Sequence, residues 1–203
     1  MESLTAHGQY PSAVYRAFAK REYAKQFVRG QIRFGNLYYY KRIEDEKRRD
    51  RTEGESHVVH EGRDQHAMFA SNAIYILCCH RTVDAAKRNS LGNHLVLVRD
   101  PRRFAEVITS AIENLPGKYF GGVEGCIVEY TKGHKIQYKP SGQCMARLAY
   151  CQKPEGFFSE EEFRFVVIRK QSVGDFLTIP LAEPANYLQY MEASNNCLEK
   201  GPA

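Results

Sequence analysis

Tryptophan is absent from this 203-residue chain, so 13 tyrosines and 11 phenylalanines supply all of its aromatic bulk. No apolar run approaches the roughly 18 residues that a membrane-spanning helix requires, which argues against such a span. The opening stretch MESLTAHGQYPS lacks the basic-then-apolar pattern of a secretion signal. The six cysteines, at 78, 79, 126, 144, 151 and 197, form no CxxC pair and no zinc-ligand rhythm. Two of them sit in the apolar run AIYILCC, where a buried thiol is the ordinary outcome. The expectation is a cytoplasmic protein with reduced core cysteines and no metal site. There is no GxGxxG and no P-loop, so Rossmann and P-loop NTPase readings have no support.

What is present suffices for a proper core. Hydrophobic residues make up 43% of the chain, and the length fits a single domain over 1–203. Its core is expected at about 13–180, with a C-terminal helix and tail over about 181–203. The formal net charge is +5 but is unevenly spread. KRIEDEKRRDR, residues 41–51, holds six cations among four acids, and Arg102-Arg103 form a second cluster. Such runs are either solvated faces or surfaces that attract phosphates. On the second reading Lys41, Arg42, Arg48, Arg49 and Arg51 contact nucleic acid.

Residues 13–18 (AVYRAF) alternate and are rich in strand formers, with Tyr15 on the opposite face from Val14 and Arg16. KREYAKQFVRG reads as a short helix carrying Tyr23, Phe27 and Val28 on one side, with Gly30 as its stop. QIRFGNLYYY returns as extended chain, and residues 41 to about 65 read as a long loop or a partly helical excursion. Residues 71–79 make the strongest central strand, and 93–98 make another. Asp100-Pro101 opens an amphipathic helix with Phe104, Val107, Ile108 and Ile112 on one face. Residues 125–130 and 134–138 read as a β-hairpin turning at Lys132-Gly133, followed by strands at 163–168 and 176–179. The order implies an α+β fold with a mixed, mostly antiparallel sheet and flanking helices.

FFSEEEFRFVV, residues 157–167, places three consecutive glutamates at the mouth of an apolar strand. Carboxylates carried into a strand cost free energy unless something compensates them. With the strand starting near Glu160, period two puts Glu160, Glu162, Arg164 and Val166 on one face. Glu161, Phe163, Phe165 and Val167 share the other. Arg164 is placed to hydrogen-bond a neighbouring glutamate. A carboxylate pinned on a rigid strand suits a cationic transition state at a sugar carbon; the plain alternative is a surface ion-pair ladder. Arg16, flanked by core residues, either grips a pyrophosphate or a ribose hydroxyl, or pairs with Glu160 or Glu162. Any of Tyr38, Tyr39 and Tyr40 has the ring to stack on a nicotinamide or adenine.

Together, VYRAF, a short helix ending in FVRGQIRF, the tyrosines after the next strand and a late E-x-E strand resemble the ADP-ribosyltransferase toxin superfamily. The pattern also resembles a phage-defence-linked bacterial family with a G-x-I-R-F strand and an acidic E-D-x-x-R-x-D-x-x-E-G run. Here that run is Glu44, Asp45, Arg48, Asp50, Glu53 and Gly54. The late strand supplies Glu160, Glu162, Phe163 and Arg164; the superfamily's middle Ser-Thr-Ser is missing. A basic single-domain chain of this kind is similar to the mRNA-modifying toxin of a toxin–antitoxin–chaperone system. The resemblance implies a split sheet of ADP-ribosyltransferase type and NAD as substrate. It also implies a nucleic-acid acceptor, single-stranded RNA above all, and antitoxin and chaperone partners. It makes Glu162 the carboxylate that steadies the oxocarbenium-like ribose. Glu160 orients the acceptor or takes its proton, while Arg16, Tyr15, Tyr38, Tyr40 and Arg164 hold the NAD.

Two other function classes compete. Glu44, Asp45, Asp50, Glu53 and the late glutamates have the chemistry of Mg²⁺ ligands in a metal-dependent nuclease. The same scaffold also serves a non-catalytic antitoxin or adaptor. His57, His60, His66, His80 and His134 have the chemistry of ligands or bases, but they match no zinc spacing and read as solvated loop residues.

Overall fold

The structure, a computed structural model, describes residues 7–42, 55–60, 63–68, 72–89, 93–117, 119, 121–131, 135–137, 147 and 150–192. The chain opens with strands β1 (His7–Gly8) and β2 (Val14–Phe18), helix α1 (Arg21–Val28), strand β3 (Gln31–Asn36) and helix α2 (Leu37–Arg42). Next come β4 (Glu55–His60), β5 (Arg63–Met68), β6 (Ile74–His80), α3 (Val83–Asn89), β7 (His94–Val98) and α4 (Pro101–Glu113). The second half holds β8 (Glu124–Ile127), β9 (Glu129–Thr131), β10 (Lys135–Gln137) and β11 (Gln152–Pro154). A 3-10 helix, Glu155–Glu160, leads into β12 (Glu162–Ile168), followed by β13 (Phe176–Pro180) and β14 (Leu188–Glu192). No helix among the described residues is long and apolar enough to cross a membrane.

The main sheet runs β1-β8-β12-β6-β2-β7-β14, and a side branch joins β3 to β6 and β13 to β3. Every pairing in it is antiparallel except β1 with β8. This matches the mixed, mostly antiparallel sheet expected from the order of elements. The sheet branches at β6. One edge of β6 pairs with β12 from Ile74 to His80. Along the other edge β2 meets it at His80, while β3 meets it at Ile76 and Tyr75. Between those two contacts, beside Cys78, the flanking strands part.

Both faces of β12 are buried, as a strand at the centre of a two-sided sheet requires. Phe163, Phe165 and Val167 enter a core with Val14, Leu77, Val96 and the buried faces of α1 and α4. Each such phenylalanine contributes about 2 kcal/mol by leaving water. Val166 enters a second cluster with Leu37, Ile74, Ile76, Tyr150 and the Cys126–Cys151 pair. In α4 the Asp100 side chain accepts from the Arg103 N–H, and Pro101 takes the first turn. Phe104, Ile108 and Ile112 of that helix are buried, while Val107 is only partly so. Gly30 ends α1 with φ +88°, a backbone conformation that glycine adopts without a Cβ clash.

Several local expectations give way to long-range pairing. Where a long loop or a partly helical excursion was expected to about residue 65, Glu55–His60 and Arg63–Met68 pair as antiparallel strands β4 and β5, so His57, His60 and His66 lie on strands. Among the described residues the hairpin expected over 125–138 is not seen: β8 pairs with β12 and β1, β9 runs parallel with β11, and β10 runs parallel with β4. β13 pairs with β3. Tyr38, Tyr39 and Tyr40 lie on α2, whose first turn is capped by the Asn36 side chain accepting from the Tyr39 N–H. Tyr23 is exposed, leaving Phe27 to anchor α1. Where a C-terminal helix was expected, the described residues hold a 3-10 turn, Pro184–Asn186, and β14, which extends the sheet beside β7, while residues 193–203 lie outside the described ones. Cys126 and Cys151 are joined as a disulfide, their Cα atoms 5.9 Å apart, which corrects the reading that all the cysteines are reduced. The fold brings β8 against the segment entering β11, a contact that no local spacing encodes. Cys78 and Cys79 are free, and Cys144 and Cys197 lie outside the described residues.

One close approach fixes the placement of α2. A Cβ at Gly35 would stand 2.8 Å from Cε2 of Tyr40, so only glycine lets that ring lie on β3. Gly35→Ala is expected to cost about 1–3 kcal/mol by overpacking and to lower the thermal midpoint by several degrees. An unchanged midpoint would show that Tyr40 is not held against this strand.

Candidate functional site

The three glutamates do not form one continuous strand face. Glu160 ends the 3-10 helix, Glu161 adopts φ +45°, and only Glu162 begins β12. A left-handed conformation at a non-glycine residue costs about 1–2 kcal/mol. Here it is fixed by the Arg81 N–H on the Glu161 carbonyl, and by Thr82 and Arg88 on its carboxylate. The turn at Glu161 brings Glu160 and Glu162 onto one cation. Lys153 Nζ lies 2.7 Å from Glu160 Oε2 and 2.8 Å from Glu162 Oε2.

Glu162 is 2% exposed. Its Oε1 accepts from Arg164 Nε at 2.9 Å, and its Oε2 accepts from Arg164 Nη2 at 3.3 Å. Arg164, fully buried, also donates from Nη1 to the Tyr150 carbonyl at 2.9 Å. The Glu162 N–H donates to the Tyr130 hydroxyl at 2.7 Å. Burial alone would raise the Glu162 pKa. The charges of Arg164 and Lys153, with hydrogen bonds from Arg164 and the Cys78 thiol, outweigh it and hold the carboxyl well below its usual range. Glu160 moves the other way: burial and the neighbouring Glu162 raise it against the pull of Lys153. Tyr130, half-buried beside both, is pushed up by that burial to about 12. Two carboxyls on one lysine thus stand with their proton affinities pushed apart, the pattern that assigns separate roles to paired acids.

Strand register gathers further groups. Glu162 lies opposite His80 on β6, and His80 lies opposite Tyr15 on β2, so these three stand abreast across neighbouring strands. Arg164 lies opposite Cys78 in the same way. Tyr40 enters this neighbourhood from α2. Burial raises its phenol above the ordinary range, and Cys78, Arg16, Glu162 and Arg164 all act on it electrostatically. Arg16 shares the helix-side face with Val14 and Phe18, yet its Nη1 donates to the Cys78 carbonyl where the sheet parts. Its guanidinium lies 5.3 Å and 5.8 Å from the Phe18 and Phe27 ring centroids. Its Nε is buried with no partner, and among the described residues Arg16 makes no ion pair, so pairing with Glu160 or Glu162 is set aside.

Of the residues expected to hold a dinucleotide, Arg16 lies on the opposite, helix-side face, whereas Arg164, Tyr15 and Tyr40 come to the Glu162 side of the sheet. Tyr38 does not: it is 45% exposed on the outer side of α2, with Arg42 stacked 4.5 Å over its ring. A helix turns about 100° per residue, so Tyr38 and Tyr40 cannot share a face. Arg42 also pairs with Asp175 at 2.6 Å. Beside it Arg33 lies 4.1 Å over Phe176, and Phe176 meets Tyr39 edge-on at 4.5 Å. The backbone of Lys41 lies in the last turn of α2, while Arg48, Arg49 and Arg51, with Glu44, Asp45, Asp50 and Glu53, lie outside the described residues.

Lys153, His80, Tyr130 and Tyr150 were not singled out from the sequence. His80, passed over as a solvated loop residue, ends β6 and places Nδ1 2.7 Å from the Glu160 carbonyl. The available signal for Lys153 was electrostatic: three adjacent acids before a buried strand demand cations, and Lys153 and Arg164 flank them. Among the described residues no three His, Cys, Asp or Glu side chains group to hold a metal ion. The oxygens of Glu162 face ammonium and guanidinium groups, where a nuclease would place its cation. No protein-family model, curated protein or solved structure matches the chain.

Proposed function

We propose that this chain is an NAD-dependent ADP-ribosyltransferase that modifies nucleic acid, single-stranded RNA in particular, as a toxin of anti-phage defence with antitoxin and chaperone partners. One observation carries the reading: Glu162 is a buried carboxylate ion-paired with Arg164 and Lys153 at the branch of the sheet. The resemblance implies a mixed, mostly antiparallel split sheet with an arginine on an early strand and a glutamate on a late one; here Arg16 lies on β2 and Glu162 on β12, with β6 between them.

When NAD's ribose–nicotinamide bond breaks, positive charge develops on the sugar ring, and a fixed carboxylate stabilises it. A carboxylate offers about four acceptor sites. Arg164 takes two and Lys153 one, while the fourth faces the Cys78 thiol, a weak donor that a ribose hydroxyl would replace. Arg16 supplies a guanidinium for the pyrophosphate, and Tyr15 and Tyr40 supply rings for the nicotinamide end. Glu160, sharing Lys153 with Glu162, orients the acceptor.

The outer side of α2 favours nucleic acid as that acceptor. Arg42 on Tyr38 and Arg33 on Phe176 pair cations with aromatic rings at the surface, the combination on which unpaired bases stack. Tyr38→Ala with Phe176→Ala is expected to weaken binding of a labelled single-stranded oligonucleotide by roughly 10-fold, from about 1–3 kcal/mol of stacking per base. Equal binding by the double variant in an anisotropy titration would remove this surface from the reading.

The main test incubates the protein with labelled NAD and separate RNA, DNA and protein pools in the presence of EDTA. Label on RNA, lost in Glu162→Gln, is the expected result. Activity abolished by EDTA favours the metal-dependent nuclease. The saturation of Glu162 by donors favours a second reading, a non-catalytic adaptor whose ion pairs serve the fold alone. NAD turnover unaffected by Glu162→Gln would decide for it.

A further inference from the structure

His80 is an acid–base group of this cluster that the proposed chemistry leaves unused. It stands between Tyr15 on β2 and Glu162 on β12, half-buried at the end of β6. Its Nδ1 is 2.7 Å from the Glu160 carbonyl. A carbonyl only accepts, so Nδ1 carries the proton of that bond, and in the neutral ring Nε2 holds a lone pair. Burial, then the charges of Arg16 and Lys153, oppose a second proton, while the Glu160 carbonyl and Glu162 favour it. The balance lies below the ordinary imidazole value, leaving His80 neutral and basic at neutral pH.

Resting on the transferase reading, we propose that His80 Nε2 takes the proton from the nucleic-acid group that attacks the ribose. The bond from C1 to nicotinamide breaks with both electrons passing to the ring nitrogen, which discharges the pyridinium. A lone pair on the acceptor nitrogen or oxygen forms the new bond to C1. The acceptor's proton moves to Nε2, and the resulting imidazolium returns it to water. No oxidant or reductant is needed. Glu162 at one side and the Glu160 carbonyl at Nδ1 both stabilise the transient imidazolium. The carboxylate of Glu160 is paired with Lys153 through Oε2, and the imidazole beside it offers the Nε2 lone pair.

The experiment measures label transfer from NAD to single-stranded RNA between pH 5 and 9 for the full chain, His80→Gln and His80→Ala, alongside NAD affinity by calorimetry. His80→Gln is expected to lose about 10²–10³ in transfer rate while NAD affinity stays within about two-fold. The wild-type kcat/KM is expected to fall on the acid side with a midpoint below the ordinary histidine value of 6.5, a limb absent in His80→Gln. Added imidazole is expected to restore part of the His80→Ala rate, which a purely structural histidine would not permit. Wild-type transfer with an unchanged rate in His80→Gln, or with no imidazole response in His80→Ala, overturns this assignment alone. So does a wild-type profile flat between pH 5 and 7, with no variant involved. A wild-type chain that labels no acceptor overturns the transferase reading and this assignment with it.

Discussion

Glu162→Gln is expected to lose about 10²–10³ in label transfer and to lower stability by about 3–5 kcal/mol. The stability loss follows from charge balance. Lys153 and Arg164 face Glu160 and Glu162, two cations against two anions, with Arg164 and Glu162 almost fully removed from water. Glutamine keeps the shape but removes one negative charge and turns an NH₂ toward groups that only donate. The same charge sets an acid window. The Glu162 pKa is depressed in the fold, so its stabilisation is present above the unfolded value of about 4.3 and is lost as pH falls toward its much lower folded value. Chemical unfolding between pH 3 and 7 should therefore show a slope that Glu162→Gln flattens. Structure and chemistry separate in the double variant Glu162→Gln with Arg164→Met. Removing both halves of a buried pair is often close to neutral, so stability should recover by at least half while transfer stays absent. Recovered transfer in that variant would sink the catalytic role of this carboxylate.

The elements legible in the sequence were those whose signal is local and strong. Residues 74–80, 94–98 and 163–168 are apolar and β-branched enough to be strands in any sheet, and Asp100-Pro101 is a start signal for α4. The failures share one cause. At Lys132-Gly133 a turn signal suggested a hairpin, yet β8 finds its partner in β12, nearly forty residues on, because both are buried there. Residues 37–42 carry three tyrosines that favour extended chain, but Asn36 caps a helix and Tyr40 finds a place against Gly35. The alternation at 188–192 was short, and only β7 beside it makes it a strand.

The site was legible in its charges and illegible in its geometry. Period two correctly separated Glu162, Arg164 and Val166 from Phe163, Phe165 and Val167, because that split depends only on the strand itself. It could not show that the backbone reverses its sense at Glu161 or that Lys153 is folded back between two carboxylates. Nor could it show that His80 stands beside Glu162, since register between β6 and β12 joins residues about eighty apart. Tyr38 and Tyr40 looked equivalent as neighbours in one tyrosine run; α2 puts them on different sides, one toward solvent and one toward Glu162.

Removing the shared lysine should have an effect nearly as large as removing Glu162, with the opposite dependence on pH. In Lys153→Met, Glu160 and Glu162 lose the ammonium between them, and Arg164 alone faces two carboxylates. A partner stripped from a buried network costs about 3–5 kcal/mol, a drop in thermal midpoint on the order of 10 °C. Glu160 is already raised by burial and by Glu162, and Lys153 is the main charge opposing that rise. Without it the carboxyl holds its proton more tightly still. A carboxyl raised in the fold stabilises most below its unfolded value, and that contribution is lost as pH rises through the folded value. The thermal midpoint of Lys153→Met should therefore be higher near pH 5 than near pH 8, while Glu162→Gln, relieved of the like charge, should lack that gradient. Lys153→Met with Glu160→Gln should also lose the gradient, because the group that titrates is gone. If the double variant keeps it, the carboxyl being protonated is not Glu160, and the two acids do not answer to one lysine.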